Sequence, residues 1–199
     1  MIKLLFVCHG NICRSPMAEF IMKDLVRQRS LEEQFEIASA ATTDEEPGNP
    51  VYPPVRELLR QRGLSCKGKT AWQLRSSDYD RYDLFVGMDE ENRRDMLRLF
   101  SGDPKGKVSL LLDYTDRPRD VADPWYTRDF HAAEADIDRG CAALLEYLKK
   151  KMTLGLLPRP NKEVINSRNI SVAKARNRPG KAEWLFRACL CPRSSIRCV

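Results

Sequence analysis

The sequence predicts an α/β three-layer sandwich, with a four-stranded parallel sheet flanked by helices. Three observations predict it. Four short apolar runs, within residues 2–7, 35–40, 84–88 and 108–112, have the length of buried strands. The segments between them carry apolar residues at helical spacing. The resulting order, βαβαβαβα, joins parallel strands by crossover helices, which cover both faces of the sheet as in flavodoxin-like and Rossmann-like folds.

In chain order, Ile2, Leu4, Leu5, Phe6 and Val7 make the first strand, which stops at Cys8. His9, Gly10 and Asn11 suit a tight turn. Ser15 and Pro16 then signal a helix start, with Ser15 as N-cap and Pro16 at the first helical position. Met17, Phe20, Ile21, Leu25 and Val26 predict an amphipathic helix over 16–29. Residues 35–40 form the second strand, with Ser39 at its end. Residues 42–54, rich in Pro, Gly, Asn and acidic side chains, read as an exposed loop. Val55, Leu58 and Leu59, with Gly63 as stop signal, give the second helix. Residues 65–81 carry weaker signals, for a short helix around 71–74 and a turn near 77–79. Residues 84–88 form the third strand, and Asp89 caps the helix carrying Met96, Leu97 and Phe100. After the fourth strand, 108–112, comes a loop with Asp116, Pro118, Asp120, Asp123 and Pro124. Ile137, Cys141, Leu144, Leu145 and Leu148 place the closing helix over 131–150.

A chain of 199 residues holds one well-buried core and is short for two. No apolar run reaches the length of a membrane helix, and residues 2–7 are too short for the apolar region of a secretory signal. The folded part is therefore expected in the cytoplasm, where seven cysteines stand as thiols before structural disulfides. Of 34 Lys and Arg and 28 Asp and Glu, residues 153–199 hold ten of the former and two of the latter, so the basic pI belongs to the tail. Two regions are expected: a folded domain over 1–152 and an irregular, solvated basic extension over 153–199. That tail shows no periodic basic face and has only Trp184 and Phe186 to stack on bases, which argues against a nucleic-acid arm. Cys189, Cys191 and Cys198 lack a histidine at metal-ligand spacing. Nothing in the sequence fixes an oligomeric state.

In parallel α/β sheets ligands bind beyond the carboxyl ends of the strands. Topology gathers Cys8, Ser39, Asp89 and the loop after residue 112 there. Backbone N–H groups curling from Cys8 to Arg14, ahead of a helix N-terminus, suit an anion. Phosphate esters repel anionic nucleophiles, so a positive field must precede attack; the same field favours the thiolate of Cys8. Arg14 suits bidentate contact with two phosphoryl oxygens. The Ser15 hydroxyl can donate to the thiolate, and Asn11 tolerates a left-handed turn. A lone C-x5-R is a loose pattern. Following an apolar strand and leading into Ser-Pro at a helix start, it points to a thiolate acting on phosphate esters.

The stretch Val7-Cys8-His9-Gly10-Asn11-Ile12-Cys13-Arg14-Ser15-Pro16, followed by Met17-Ala18-Glu19, resembles the signature of the low-molecular-weight protein tyrosine phosphatases. Ser39-Ala40-Ala41-Thr42, Gly87-Met88-Asp89 with Asn92, and Asp123-Pro124-Trp125-Tyr126 extend the match in order over about 150 residues. The resemblance implies hydrolysis of phosphotyrosine in proteins through a cysteinyl-phosphate on Cys8. It makes Arg14 the phosphate clamp and Asp123 the general acid and then base. Residues 8–15 (Cys8, His9, Gly10, Asn11, Ile12, Cys13, Arg14, Ser15) form the phosphate-binding loop, supported by Asn11, Ser15 and Ser39. Cys13 becomes a reversible redox partner of Cys8, and no metal or cofactor is required. Asp113, Asp116 and Asp120 share the region of Asp123 but lack its Pro-aromatic sequel, in which Trp125 and Tyr126 would wall an aryl ring beside Ile12.

Two stretches depart from that family's pattern. The loop after Ser39 reads Thr43-Asp44-Glu45-Glu46-Pro47 where many members have an aromatic residue, giving an acidic rim that disfavours acidic phosphopeptides. Lys69-Thr70-Ala71-Trp72-Gln73 lacks the His and Arg of close relatives. Neither departure is expected to touch the reaction centre. Among related activities, arsenate reduction needs resolving cysteines, and residues 67–140 contain none. Protein arginine phosphatases tend to carry Thr where this chain has Ile12, and the bulkier Ile12 favours a flat aryl ester. A binding module without turnover would lack the nucleophile or the acid; Cys8 and Asp123 are both present.

Overall fold

The computed structural model describes residues 1–154 and residue 156. The basic extension expected after residue 152 lies, apart from residues 153, 154 and 156, outside the described residues. Four parallel strands, β1 (Ile2–Cys8), β2 (Phe35–Ala41), β3 (Leu84–Gly87) and β4 (Val108–Leu110), form one sheet in the order β2-β1-β3-β4. The helices are α1 (Arg14–Gln28), α2 (Pro53–Gln61), α3 (Glu90–Leu99), α4 (Pro124–Thr127) and α5 (Phe130–Thr153).

Alternation along β1 builds the core on both sides of the sheet. Leu4 and Phe6 face a cluster with Met17 and Ile21 of α1, Leu59 of α2 and Ile137, Cys141 and Leu144 of α5. Leu5 and Val7 face the opposite cluster, with Phe85, Met96, Phe100 and Tyr79. These side chains are nearly all inaccessible to water, each such burial contributing about 1.5–3 kcal/mol. Strand order reverses between β2 and β3, so the carboxyl end of β1 opens at a switch point, where loops from both sides of the sheet diverge.

The parallel sheet, its four strands and its covering helices match the fold class expected, while several local expectations change. The segment around 71–74 is extended, not helical. It pairs through the Ala41–Gln73 bridge, with Ala41 N donating to Trp72 O and Leu74 N to Ala41 O at 2.8 and 2.9 Å. The free edge of β2 offers those backbone groups better partners than a single isolated helical turn. Helix α1 begins at Arg14, so Ser15 is not its N-cap and Pro16 falls third in the helix. The Ser15 hydroxyl is held by other partners (below), and the missing N–H of Pro16 lies in a first turn that has no intrahelical acceptor. β4 stops at Leu110 because residues Leu111–Tyr114 turn into a 3-10 helix, whose Asp113 carboxylate accepts from Leu110 N at 3.0 Å. Within the loop 42–52, Val51 is buried and Tyr52 half-buried rather than exposed. The Asp123-Pro124 pair opens a one-turn helix, with Asp123 as N-cap accepting from Trp125 N at 2.9 Å.

Candidate active site

Cys8 ends β1 with its sulfur buried against the start of α1. Ser15 approaches it twice: the hydroxyl lies 3.0 Å from Sγ and the backbone N–H donates to Sγ at 3.4 Å. Asn11 takes the left-handed backbone expected of it, at φ 55°. That turn aims its amide inward, where Nδ2 donates to Ser15 Oγ and to Ser39 Oγ, both at 2.8 Å. Ser39 sits within β2, two residues before its end rather than at it, and donates to Glu19 Oε2 at 2.6 Å. A chain of buried polar groups therefore runs from Glu19 through Ser39, Asn11 and Ser15 to the Cys8 sulfur. Fully partnered networks of this kind fix a loop's shape more firmly than any single bond.

Arg14 projects from the first residue of α1 with only 4% of its side chain exposed. Its Nη1 donates to Asp89 Oδ2 at 2.7 Å and its Nη2 to Asp123 Oδ2 at 2.9 Å. Burial opposes the guanidinium charge, but Cys8, Asp123 and Asp89 outweigh it and hold the group above the ordinary arginine value. The two carboxylates thus fix the direction of the fork, one at each Nη. Asp89 serves two ends, since its other oxygen caps α3 by accepting from Asn92 N at 2.8 Å. Burial, and then the neighbouring Cys8, push the Cys13 thiol far up, so Cys13 keeps its proton at neutral pH. Cys8, Cys13, Cys66 and Cys141 are all free thiols.

Around this centre Ile12 is half-buried, while Trp125 and Tyr126 are exposed at 59% and 64%. Trp125 is nonetheless held, edge-on to Tyr52 at 6.3 Å, and Tyr52 stacks on Phe130 at 5.8 Å. Tyr52 carries no signal in the sequence, because the Pro, Gly, Asn and acidic residues around it predict an exposed loop.

Both departures in sequence lie against residues that surround the centre, though none of the contacts below reaches Cys8, Arg14 or Asp123. Glu45 bonds His9 Nε2 at 2.9 Å, and a Cβ at Gly10 would meet Glu46 Cγ at 3.1 Å, so the acidic loop lies against the loop that follows Cys8. Lys69 Nζ donates to Ser39 O at 2.9 Å and pairs with Glu19 at 3.1 Å, and Trp72 N donates to Asn11 Oδ1 at 3.4 Å. The extended path of residues 70–74 brings them there. Glu19 stands in the sequence as the end of the signature stretch, four positions after Ser15 and hence on the same helical face; Lys69 stands there only within a departing stretch, with no sign of its contacts.

Fold and loop together define an α/β phosphoric monoester hydrolase. Within that class the chain belongs to the low molecular weight phosphotyrosine protein phosphatase family, whose model matches residues 3–154. It is 38% identical over 156 residues to the low molecular weight protein-tyrosine-phosphatase YfkJ of Bacillus subtilis, covering 77% of this chain and all of that one. The crystal structure of YfkJ superposes with a TM-score of 0.74, over 76% of this chain and 96% of YfkJ. An arginine phosphatase from Drosophila, 29% identical, superposes with a TM-score of 0.68 over 74% and 98% of the two chains.

Proposed function

We propose that this enzyme hydrolyses phosphotyrosine in protein substrates through a cysteinyl-phosphate intermediate. The observation that carries the reading is the convergence on one loop of the Cys8 sulfur, the aligned Arg14 fork and the Asp123 carboxylate, which arrives from 109 residues downstream. Cys8 Sγ attacks phosphorus as the bond to the aryl oxygen breaks, and Asp123 gives that oxygen its proton. Arg14 and the loop N–H groups hold the equatorial oxygens. Asp123 then takes a proton from water, which attacks phosphorus, breaks the S–P bond and releases phosphate. Ser15 Oγ, already on the sulfur, eases its departure as thiolate. Cys13, protonated, is unsuited to attack, and we assign it as the redox partner that can cap an oxidised Cys8. Trp125, Tyr126 and Ile12 wall the aryl ring. The catalytic unit is residues 1–152. No helix among the described residues is long and apolar enough to cross a membrane, and we place the enzyme in the cytoplasm, where its thiols stay reduced.

Cys8→Ser should abolish hydrolysis of p-nitrophenyl phosphate, and Asp123→Ala should slow it by about 10²–10³, with no response to a chelator. Full activity of Cys8→Ser sinks the mechanism. The Drosophila neighbour raises phosphoarginine as a second substrate class. Peptides bearing phosphotyrosine and phosphoarginine, assayed side by side on the wild type and on Ile12→Thr, separate the two; the wild type should prefer the aryl ester.

A further inference from the structure

We propose that Asp136, on α5, is the positioning residue that holds Asp123 in place for proton delivery to the leaving group. This rests on the assignment of Asp123 as general acid made above. Residues 115–123, between the 3-10 turn and α4, form no helix or strand, yet an acid must be held to within about an ångström of its target. Two tethers hold the end of this stretch. Val121 is buried, and its N–H donates to Met88 O at 2.8 Å, pinning it to the residue that follows β3. Asp136 supplies the second.

The Asp136 side chain is 4% exposed, the one charged group among the buried residues of α5. Its Oδ2 accepts from the N–H of Ala122, the residue immediately before Asp123, at 3.2 Å. Arg119 grips both carboxylate oxygens, with Nη1 to Oδ2 at 2.6 Å, and the same Nη1 donates to Asp120 O at 3.0 Å. One helical step away, Arg139 Nη2 donates to Oδ1 at 2.6 Å. A single carboxylate on a rigid helix thus gathers residues 119–122.

An apolar side chain would fill this position on α5 at least as well for stability alone, since buried ion pairs add little that packing does not. What it could not do is receive the Ala122 N–H. The need is sharpest during turnover. When Arg14 turns its N–H groups to a phosphoryl group, Asp123 Oδ2 loses that partner. Its place is then set by Trp125 N on Oδ1, by the turn of α4, whose Tyr126 and Thr127 N–H groups and Thr127 hydroxyl donate to Asp123 O, and by the link from Ala122 to the body of the fold.

The test compares the full-length wild type with Asp123→Asn, Asp136→Leu, Arg119→Met and Arg139→Met on aryl phosphates running from 2,4-dinitrophenyl to phenyl. Proton delivery matters little for the acidic phenol and greatly for phenol itself, so loss of a well-placed acid steepens the dependence of kcat/KM on leaving group. Asp136→Leu should lose about ten- to hundredfold on phenyl phosphate and little on the dinitrophenyl ester, with an unchanged rate of Cys8 alkylation by iodoacetate. Arg119→Met, which leaves the buried carboxylate in place, should steepen the dependence in the same direction. Arg139→Met, which leaves the loop's bonds intact, should not. If Asp136→Leu does not fold, the two arginine variants decide alone. An equal loss on every ester, or no loss in either Asp136→Leu or Arg119→Met, overturns the proposal while Asp123→Asn remains steep. A flat response in Asp123→Asn itself overturns the acid assignment, and this inference with it.

Discussion

Lys69 contacts no reacting atom, yet it underlies the buried chain that ends on the Cys8 sulfur. Its ammonium lies between the Ser39 carbonyl and Glu19, with 12% of the side chain exposed. Burial pushes its pKa below the ordinary lysine value of 10.5, while Glu19 pulls it back. The unfolded chain therefore holds this proton more tightly than the folded one. Where the unfolded state binds more protons, stability rises with pH, so the contribution of Lys69 should grow from the depressed value up to about 10.5. Lys69→Met leaves Glu19 with Ser39 and the half-exposed Lys23 as partners, and should cost about 1–3 kcal/mol. Urea denaturation of both proteins at several pH values between 8 and 10 checks this; the gap should widen as pH rises, and a gap that narrows refutes the sign. Cys8 and Arg14 are legible in the sequence because a thiol and an arginine at that spacing, between a strand and a helix start, are a local pattern, and Asp123 is legible only through the family resemblance. Lys69 is not, because its role exists only once an extended segment, whose residues suggest a short helix, lies beside β2.

At the scale of elements, α5 is the piece whose placement reaches furthest. Its 24 residues were largely legible from apolar periodicity, and only its last turn ran past the expected end. How closely it approaches the sheet was not legible, because that distance depends on one missing side chain. An added Cβ at Gly140 would lie 2.5 Å from Leu111 Cγ, and Leu111 is itself fully buried in the 3-10 turn after β4. Overpacking of this kind costs about 1–3 kcal/mol, and the helix preference of Ala returns about 1 kcal/mol at most. Gly140→Ala should therefore lower the urea midpoint without changing its slope, and an unchanged or raised midpoint would show that Leu111 repacks freely. Glycine in a helix interior reads from sequence only as a weak point, whereas here it is the surface on which the turn after β4 rests. The one-turn helix at Pro124 was equally hidden: four residues are too few for a periodic pattern, and Asp-Pro is a common turn starter.

For the whole molecule, the question is how much of the chain the fold and the chemistry need. The residues of the site span Cys8 to Asp136, and the core of α5 is closed by Leu148, fully buried, with Met152 packed on its edge. Beyond it, Leu156 is half exposed. YfkJ is matched along its entire length by 77% of this chain, and the family match ends at residue 154. A stop after residue 156 should thus leave a complete enzyme, with the thermal midpoint shifted by no more than about 2 °C, the equivalent of about 0.5–1 kcal/mol in a domain of this size. What the truncation removes is charge, since residues 157–199 contain all ten Lys and Arg found after residue 152. At about 0.1 M salt such charge acts over roughly 10 Å, and at 0.01 M over roughly 30 Å. Any influence of the extension on catalysis should then appear in kcat/KM for an acidic phosphopeptide at low salt, vanish as salt is raised, and be much weaker for p-nitrophenyl phosphate. Measuring both substrates on both proteins across that range separates the two possibilities for these residues. A loss confined to low salt and the acidic peptide marks the extension as an electrostatic accessory to a self-sufficient domain. A drop in the thermal midpoint of the truncated protein at every salt concentration would instead show that residues beyond 156 supply part of the fold.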